Sequence, residues 1–181
     1  VMVKLENKLK IKKIKIGILG GSFDPAHKGH LSISKEAMKK FNLKFIIWAI
    51  TNQNPFKEKS KNNLKKRIVI CKKIVGKYKF IKVKYFEDII NSNKTADLID
   101  YLNKDKKYEL FFLMGADNLI NFHKWHKWKV ISQKCNIIVF DRHGFKKKCL
   151  NSSIFKRLNN KNLKFIEFDK VNISSSKLRK I

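Results

Sequence analysis

The sequence predicts an α/β fold: a doubly wound parallel sheet with helices on both faces. Three observations predict it. Short apolar runs recur along the chain, helical patterns lie between most of them, and the runs are continuous rather than alternating, as strands buried on both faces require. The first run, Ile14–Leu19, ends at a glycine pair, and a helical pattern through Ile33, Ala37 and Met38 marks Leu31–Phe41 as the first helix. Phe45–Ile50 is the second strand, and Leu64–Val75 carries apolar residues at helical spacing. Phe80–Tyr85 and Leu110–Met114 bracket the helix Ala96–Leu102, for which Thr95 is a good N-cap. Val130–Lys134, Ile137–Phe140, Ile154–Leu158 and Leu163–Phe168 complete the alternation. Residues 1–13 read as a basic lead-in and 14–181 as a single domain, with no repeat, flexible linker or second domain.

A chain of 181 residues can bury one substantial core without disulfides. Hydrophobic residues at 43% and aromatics at 12% exclude a disordered polymer. No apolar run approaches a bilayer span, and no signal-peptide pattern is present. Cys71, Cys135 and Cys149 are odd in number and lack a Cys-x-x-Cys spacing. That argues against a disulfide framework or zinc site and for the reducing cytoplasm. The formal charge of +29, with 43 basic against 14 acidic residues, would ordinarily suggest nucleic acid as a partner. The excess is nearly all lysine, spread over every segment without a basic stripe. It is read as a solvated surface that steers anionic substrates.

The most informative segment is Gly20-Gly21-Ser22-Phe23-Asp24-Pro25-Ala26-His27-Lys28-Gly29-His30. A glycine pair at a strand exit lets backbone approach a ligand closely. Two imidazoles three residues apart at a helix start point to the same side, where free N–H groups and the dipole favour an anion. The combination describes a polyphosphate site. Every motif singled out in the chain follows one of the predicted strands, where open parallel sheets bind their ligands.

This segment resembles the HxGH motif of the nucleotidyltransferase superfamily, and its fuller form is similar to that of the nicotinate-mononucleotide adenylyltransferases. The resemblance spans Ile14 to Arg179 and implies a Rossmann-like sheet. It implies that Gly20, Gly21, Ser22, Phe23, His27 and His30 hold ATP, with His30 nearest the reacting α-phosphate. The loop Thr51-Asn52-Gln53-Asn54-Pro55-Phe56-Lys57 corresponds to a substrate loop in which Lys57 supplies a positive charge. Asn93-Lys94-Thr95-Ala96-Asp97-Leu98 resembles the family's Thr-x-x-Thr-Leu segment, with Asp97 in place of the second threonine, and implies a pyridine-nucleotide contact at Thr95. Gly115-Ala116-Asp117 with downstream Trp125 is similar to the family's Gly-Ala-Asp and tryptophan pair. The glycine would turn the chain sharply, Asp117 would cap a helix or bond the ribose or amide, and Trp125 would stack on the pyridine ring. Trp128 is read as core, and Arg67 as an exposed helical arginine.

Arg142-His143-Gly144 resembles an Arg-Pro-Gly turn, which would put Arg142 beside the mononucleotide. Ile173-Ser174-Ser175-Ser176-Lys177-Leu178-Arg179 resembles Ile-Ser-Ser-Thr-x-Ile-Arg, which implies that Ser174, Ser175, Ser176 and the catalytic Arg179 bind ATP, with Ser175 and Arg179 on the departing phosphates. The family usually continues with a further helical segment past the position of Ile181. The implied reaction is adenylyl transfer from ATP to nicotinate mononucleotide, giving deamido-NAD and pyrophosphate in NAD synthesis. Magnesium would accompany the ATP phosphates, with no metal site on the protein itself. Sister enzymes that adenylylate phosphopantetheine or cytidylylate a small alcohol phosphate share the His and Ser-Arg elements. A nucleic-acid-binding module rests on charge alone.

Overall fold

The strand that carries the glycine exit, β1 (Ile14–Gly21), sits between two others in a six-stranded sheet whose order is β3-β2-β1-β4-β5-β6. The computed structural model describes residues 12–54, 59–141, 144–158 and 162–167. The remaining strands are β2 (Phe45–Ile50), β3 (Ile81–Tyr85), β4 (Tyr108–Gly115), β5 (Asn136–Phe140) and β6 (Leu163–Ile166), and every pairing is parallel. The helices are α1 (Lys28–Phe41), α2 (Leu64–Val75), α3 (Glu87–Ile90), α4 (Thr95–Asn103), α5 (Ala116–Ile120), α6 (Trp128–Lys134), α7 (Lys146–Asn151) and α8 (Ser153–Leu158), with a 3₁₀ turn at Phe122–Lys124.

Alternation along the strands builds two cores. Leu110, Phe112 and Met114 of β4 pack with Ala96, Ile99, Leu119 and Ile131 on one face. Phe111 and Leu113 join Ala37, Trp48 and Cys71 on the other. Helices α1 and α2 therefore cover one face and α4 to α8 the other, the doubly wound arrangement. All three cysteines are buried free thiols. Burial pushes Cys71 and Cys135 up to about 12, Arg67 opposing the shift at Cys71, and burial with Asp141 and Asp117 pushes Cys149 to about 11.

Where β1 and β4 meet, the chain reverses its direction of travel across the sheet. Their ladder ends at the pair Leu19–Leu113. Gly20 and Gly21 continue with β2 alone, and Met114 and Gly115 continue with β5 alone. The two strands thus part at their carboxyl ends, and the opening lies at the topological switch point.

Every expected strand and helix is found, most with bounds shifted at one end or both, and α3, α5 and α7 were not expected. The first helix begins at Lys28 rather than Leu31, because His27 caps it. Thr95 is the first residue of α4 and not its cap: the preceding position is Lys94, with no side-chain cap bond. Ser92 shapes that turn instead, accepting from the Lys94 N–H at 3.1 Å and donating to Asp97 at 2.6 Å. Asp117 does not cap either, since α5 follows Gly115 without a side-chain cap. Gly115 itself has φ −79°, ordinary extended backbone rather than a glycine-only turn.

Candidate active site

Beside the opening between β1 and β4, at the carboxyl ends of β1 and β2, lies a crevice of about 400 Å³. The strand ends contribute Gly20, Gly21, Ala49 and Ile50 to its lining. A Cβ at Gly20 or Gly21 would make only ordinary contact with Phe112 or Phe23. The absence of a side chain there leaves bare backbone at the crevice rather than relieving a clash. A second group of lining residues comes from α3 and the turn into α4, including Glu87, Ser92 and Thr95. A third is Phe112 with Lys124, Trp125 and His126. The Trp125 ring meets Phe122 and Phe112 edge-on, with centroids 5.4 and 6.0 Å apart, and stays half-buried. These two buried phenyl rings hold the indole in place without covering it. Trp128 packs on Phe122 with Arg157 over its ring and, like Trp125, is half-buried against the core.

From Gly21 the chain runs directly into the histidine segment. Phe23 takes φ 48°, a left-handed conformation that costs a non-glycine residue on the order of 1–3 kcal/mol. Burial of its side chain offsets that cost: the ring is 2% exposed and stacks on Trp48 at 5.0 Å. The Phe23 ring therefore belongs to the core. His30 lies 4.7 Å from Phe23 and 5.9 Å from Trp48, and its ring is 3.9 Å from that of His27. The Trp48 indole is itself held by a buried bond to Ser34, which bonds back to the His30 carbonyl.

The two histidines form a reciprocal cap at the start of α1. His27 Nδ1 accepts from the Gly29 N–H at 3.1 Å, and His30 Nδ1 accepts from the His27 N–H at 3.2 Å. An accepting Nδ1 places the imidazole proton on Nε2, so this pattern assigns both rings as neutral Nε2–H donors. The cap therefore engages the Nδ1 atom of each ring.

Beneath both regions lies Arg67, which is 1% exposed and not the surface arginine its Lys65-Lys66-Arg67 setting suggests. Its guanidinium donates to the carbonyls of Ser22 (2.6 Å), Thr51 (2.7 Å), Asn52 (2.7 Å) and Asn62 (3.0 Å). Burial holds its pKa below the ordinary value, opposed by Asp24, Cys71, Glu87 and Tyr85, and a guanidinium stays charged throughout. Asp24, fully buried, accepts from the Lys61 N–H at 2.6 Å and from the backbone and side chain of Asn62. Glu87 accepts from the Thr51 hydroxyl and, at 3.1 Å, from the Asn52 N–H. Burial and the charges of Glu87 and Asp88 push Tyr85 up to about 12. A sequence signal for Arg67 did exist: it lies four residues before Cys71 and eight before Val75, on the buried stripe of α2.

Among the described residues, no three His, Cys, Asp or Glu side chains converge to hold a metal. Of the expected site residues, Gly20, Gly21, Thr95 and Trp125 line one crevice, while Ser22, Phe23, His27 and His30 form the adjoining loop and helix start. Gly115 and Asp117 lie at the end of β4 but do not line the crevice. Lys57, Arg142, Ser174, Ser175, Ser176 and Arg179 fall outside the described residues.

Residues 18–181 match the model of the cytidylyltransferase-like family. A probable nicotinate-nucleotide adenylyltransferase from Pelagibacter ubique is 66% identical over 180 residues, covering 99% of this chain and all of that one. The chain belongs to the nicotinate-nucleotide adenylyltransferase family. A probable member from Bradyrhizobium sp. (strain ORS 278) is 35% identical over 147 residues, covering 80% of this chain and 76% of the other. The fold is shared with the Plasmodium falciparum nicotinic acid mononucleotide adenylyltransferase complexed with NaAD: TM-score 0.76, 23% identity, 92% of this chain and 82% of that one.

The capping role of His27 is separable from any ligand role. His27→Ala is expected to lower unfolding free energy by about 1 kcal/mol, whereas His27→Asn supplies another good cap and recovers most of it. Urea unfolding of the two variants measures the difference.

Proposed function

We propose that this chain, as a single nucleotidyltransferase domain, transfers the adenylyl group of ATP to nicotinate mononucleotide, forming deamido-NAD and pyrophosphate in NAD synthesis. One observation carries the reading: the glycine exit of β1 lines a tryptophan-bearing crevice and leads straight into a histidine-capped helix start. A flat ring and a polyphosphate thus find adjoining places on one short loop.

In this reading an oxygen of the mononucleotide phosphate attacks the α-phosphorus of ATP. The new P–O bond forms as the bond to the β-phosphate breaks, and the electron pair leaves with pyrophosphate. No side-chain nucleophile is required, so the protein acts by positioning and charge stabilisation. His27 and His30 direct their Nε2–H groups at phosphate oxygens beside the positive end of α1, with His30 at the α-phosphate. Ser22 and the bare backbone of Gly20 and Gly21 complete the ATP loop. Thr95 and Trp125 receive the mononucleotide, the indole against the pyridine ring, with Gly115 and Asp117 behind them. Ser174, Ser175, Ser176 and Arg179 would grip the departing pyrophosphate, and Lys57 and Arg142 would meet mononucleotide charge.

Magnesium would accompany the ATP phosphates and, when bound, supply neutralisation of part of their charge. It favours oxygen ligands and retains several waters. The ion would then be held by phosphate oxygens and water, and His27 and His30 would act on the phosphates themselves. The cytoplasm is the proposed compartment, supported by three free, buried thiols. No helix among the described residues is long and apolar enough to cross a membrane.

Pyrophosphate release with ATP and a panel of acceptors tests the reading. Nicotinate mononucleotide is expected to be consumed with stoichiometric deamido-NAD, and turnover with phosphopantetheine alone would overturn it. Trp125→Ala is expected to weaken the mononucleotide by roughly 1–3 kcal/mol while leaving ATP-analogue affinity within about twofold. Separate titrations and thermal melting check this. A loss of roughly 3–5 kcal/mol in folding stability would instead mark a core residue.

A further inference from the structure

Arg67 is a buried charge that the chemistry above does not use. Removing a guanidinium from water is expensive, and an apolar side chain of similar volume is often as good for stability. Helix α2 needs no charge there to pack, because Cys71 and Val75 already supply its buried face. What the guanidinium has, and no apolar residue has, is a rigid fork of donors.

The carbonyls that receive this fork come from both halves of the site. Ser22 belongs to the ATP loop. Thr51 and Asn52 belong to the segment after β2, where Thr51 lines the crevice, donates its N–H to the Gly21 carbonyl at 3.0 Å and bonds Glu87. Asn62 belongs to the approach to α2, and Asp24, two residues beyond Ser22, holds the same Asn62 and its neighbour Lys61. One planar cation therefore ties the ATP loop to the mononucleotide crevice through backbone alone.

We infer that Arg67 is a positioning residue for adenylyl transfer: it sets the ATP loop and the mononucleotide crevice in the register that in-line attack requires. The inference rests on the proposed reaction and extends it to a residue remote from the substrates. Group transfer is steeply sensitive to such register, since a 1 Å misplacement can reduce rate on the order of a hundredfold. A lysine ammonium is compact and has three donors, so it cannot reproduce the planar fork that four carbonyls share.

The test compares the parent chain with Arg67→Lys and Asp24→Asn. Each protein is melted, titrated separately with nicotinate mononucleotide and an ATP analogue that resists α,β cleavage, and assayed at saturating substrates below its melting temperature. The expected result for Arg67→Lys is a kcat lower on the order of a hundredfold, with each separate affinity within about threefold of the parent. A kcat within about threefold of the parent, or a kcat loss no larger than the loss of folded protein, would overturn the inference. If Arg67→Lys is unfolded at the assay temperature, Asp24→Asn decides. It weakens the second arm of the same tie, and about a tenfold fall in kcat at unchanged affinities is expected. A parent chain that uses a different acceptor refutes the substrate reading instead, and the same comparison is then made with that acceptor.

Discussion

The site depends on one interruption in backbone pairing. A parallel sheet exists to satisfy every N–H and C=O it buries, and between β1 and β4 that pairing stops two residues before either strand ends. Gly20 and Gly21 lean on β2, and Met114 and Gly115 on β5. The gap follows from winding the chain outward in both directions from β1, so the crevice is a consequence of topology. Chemistry was added to it by three short segments: the loop into α1, the segment after β2 and the turn carrying Trp125.

Those segments are loops, yet they are tied down by buried polar groups. Arg67, Asp24 and Glu87 each bind main-chain atoms of a neighbouring loop. Phe23 contributes from the apolar side, holding a strained backbone by filling the space between Trp48 and His30. In the proposed reaction, preorganisation of this kind would let imidazoles and backbone amides stabilise phosphate charge without rearranging. The +29 formal charge would play a different part in that proposal, drawing anionic substrates in without selecting among them.

Much of this was legible in the sequence, for identifiable reasons. β2 and α2 match their expected bounds to the residue. One is an unbroken apolar run buried on both faces, and the other is capped by Asn63 and stopped by Gly76. The glycine exit and paired histidines located the turn from β1 into α1 because strand, turn and helix signals agree there. Short elements were not legible: α3 spans four residues, and α7 spans six, half of them lysine, so neither shows a period. Thr95 and Asp117 are good capping residues by type, but tertiary context gave the first turn to Ser92 and left the second without a side-chain cap. Arg67 was misread because two exposed lysines precede it, although its spacing to Cys71 and Val75 placed it on the buried stripe.

The central claim is that positioning alone moves the adenylyl group, with no covalent intermediate on the protein. Stereochemistry at the α-phosphorus tests it most directly. With a single diastereomer of ATP bearing sulfur on that phosphorus, one in-line displacement by the mononucleotide phosphate inverts the configuration in the dinucleotide product. Inversion is the predicted result. Retention would contradict the account, because it requires two displacements through an adenylylated side chain.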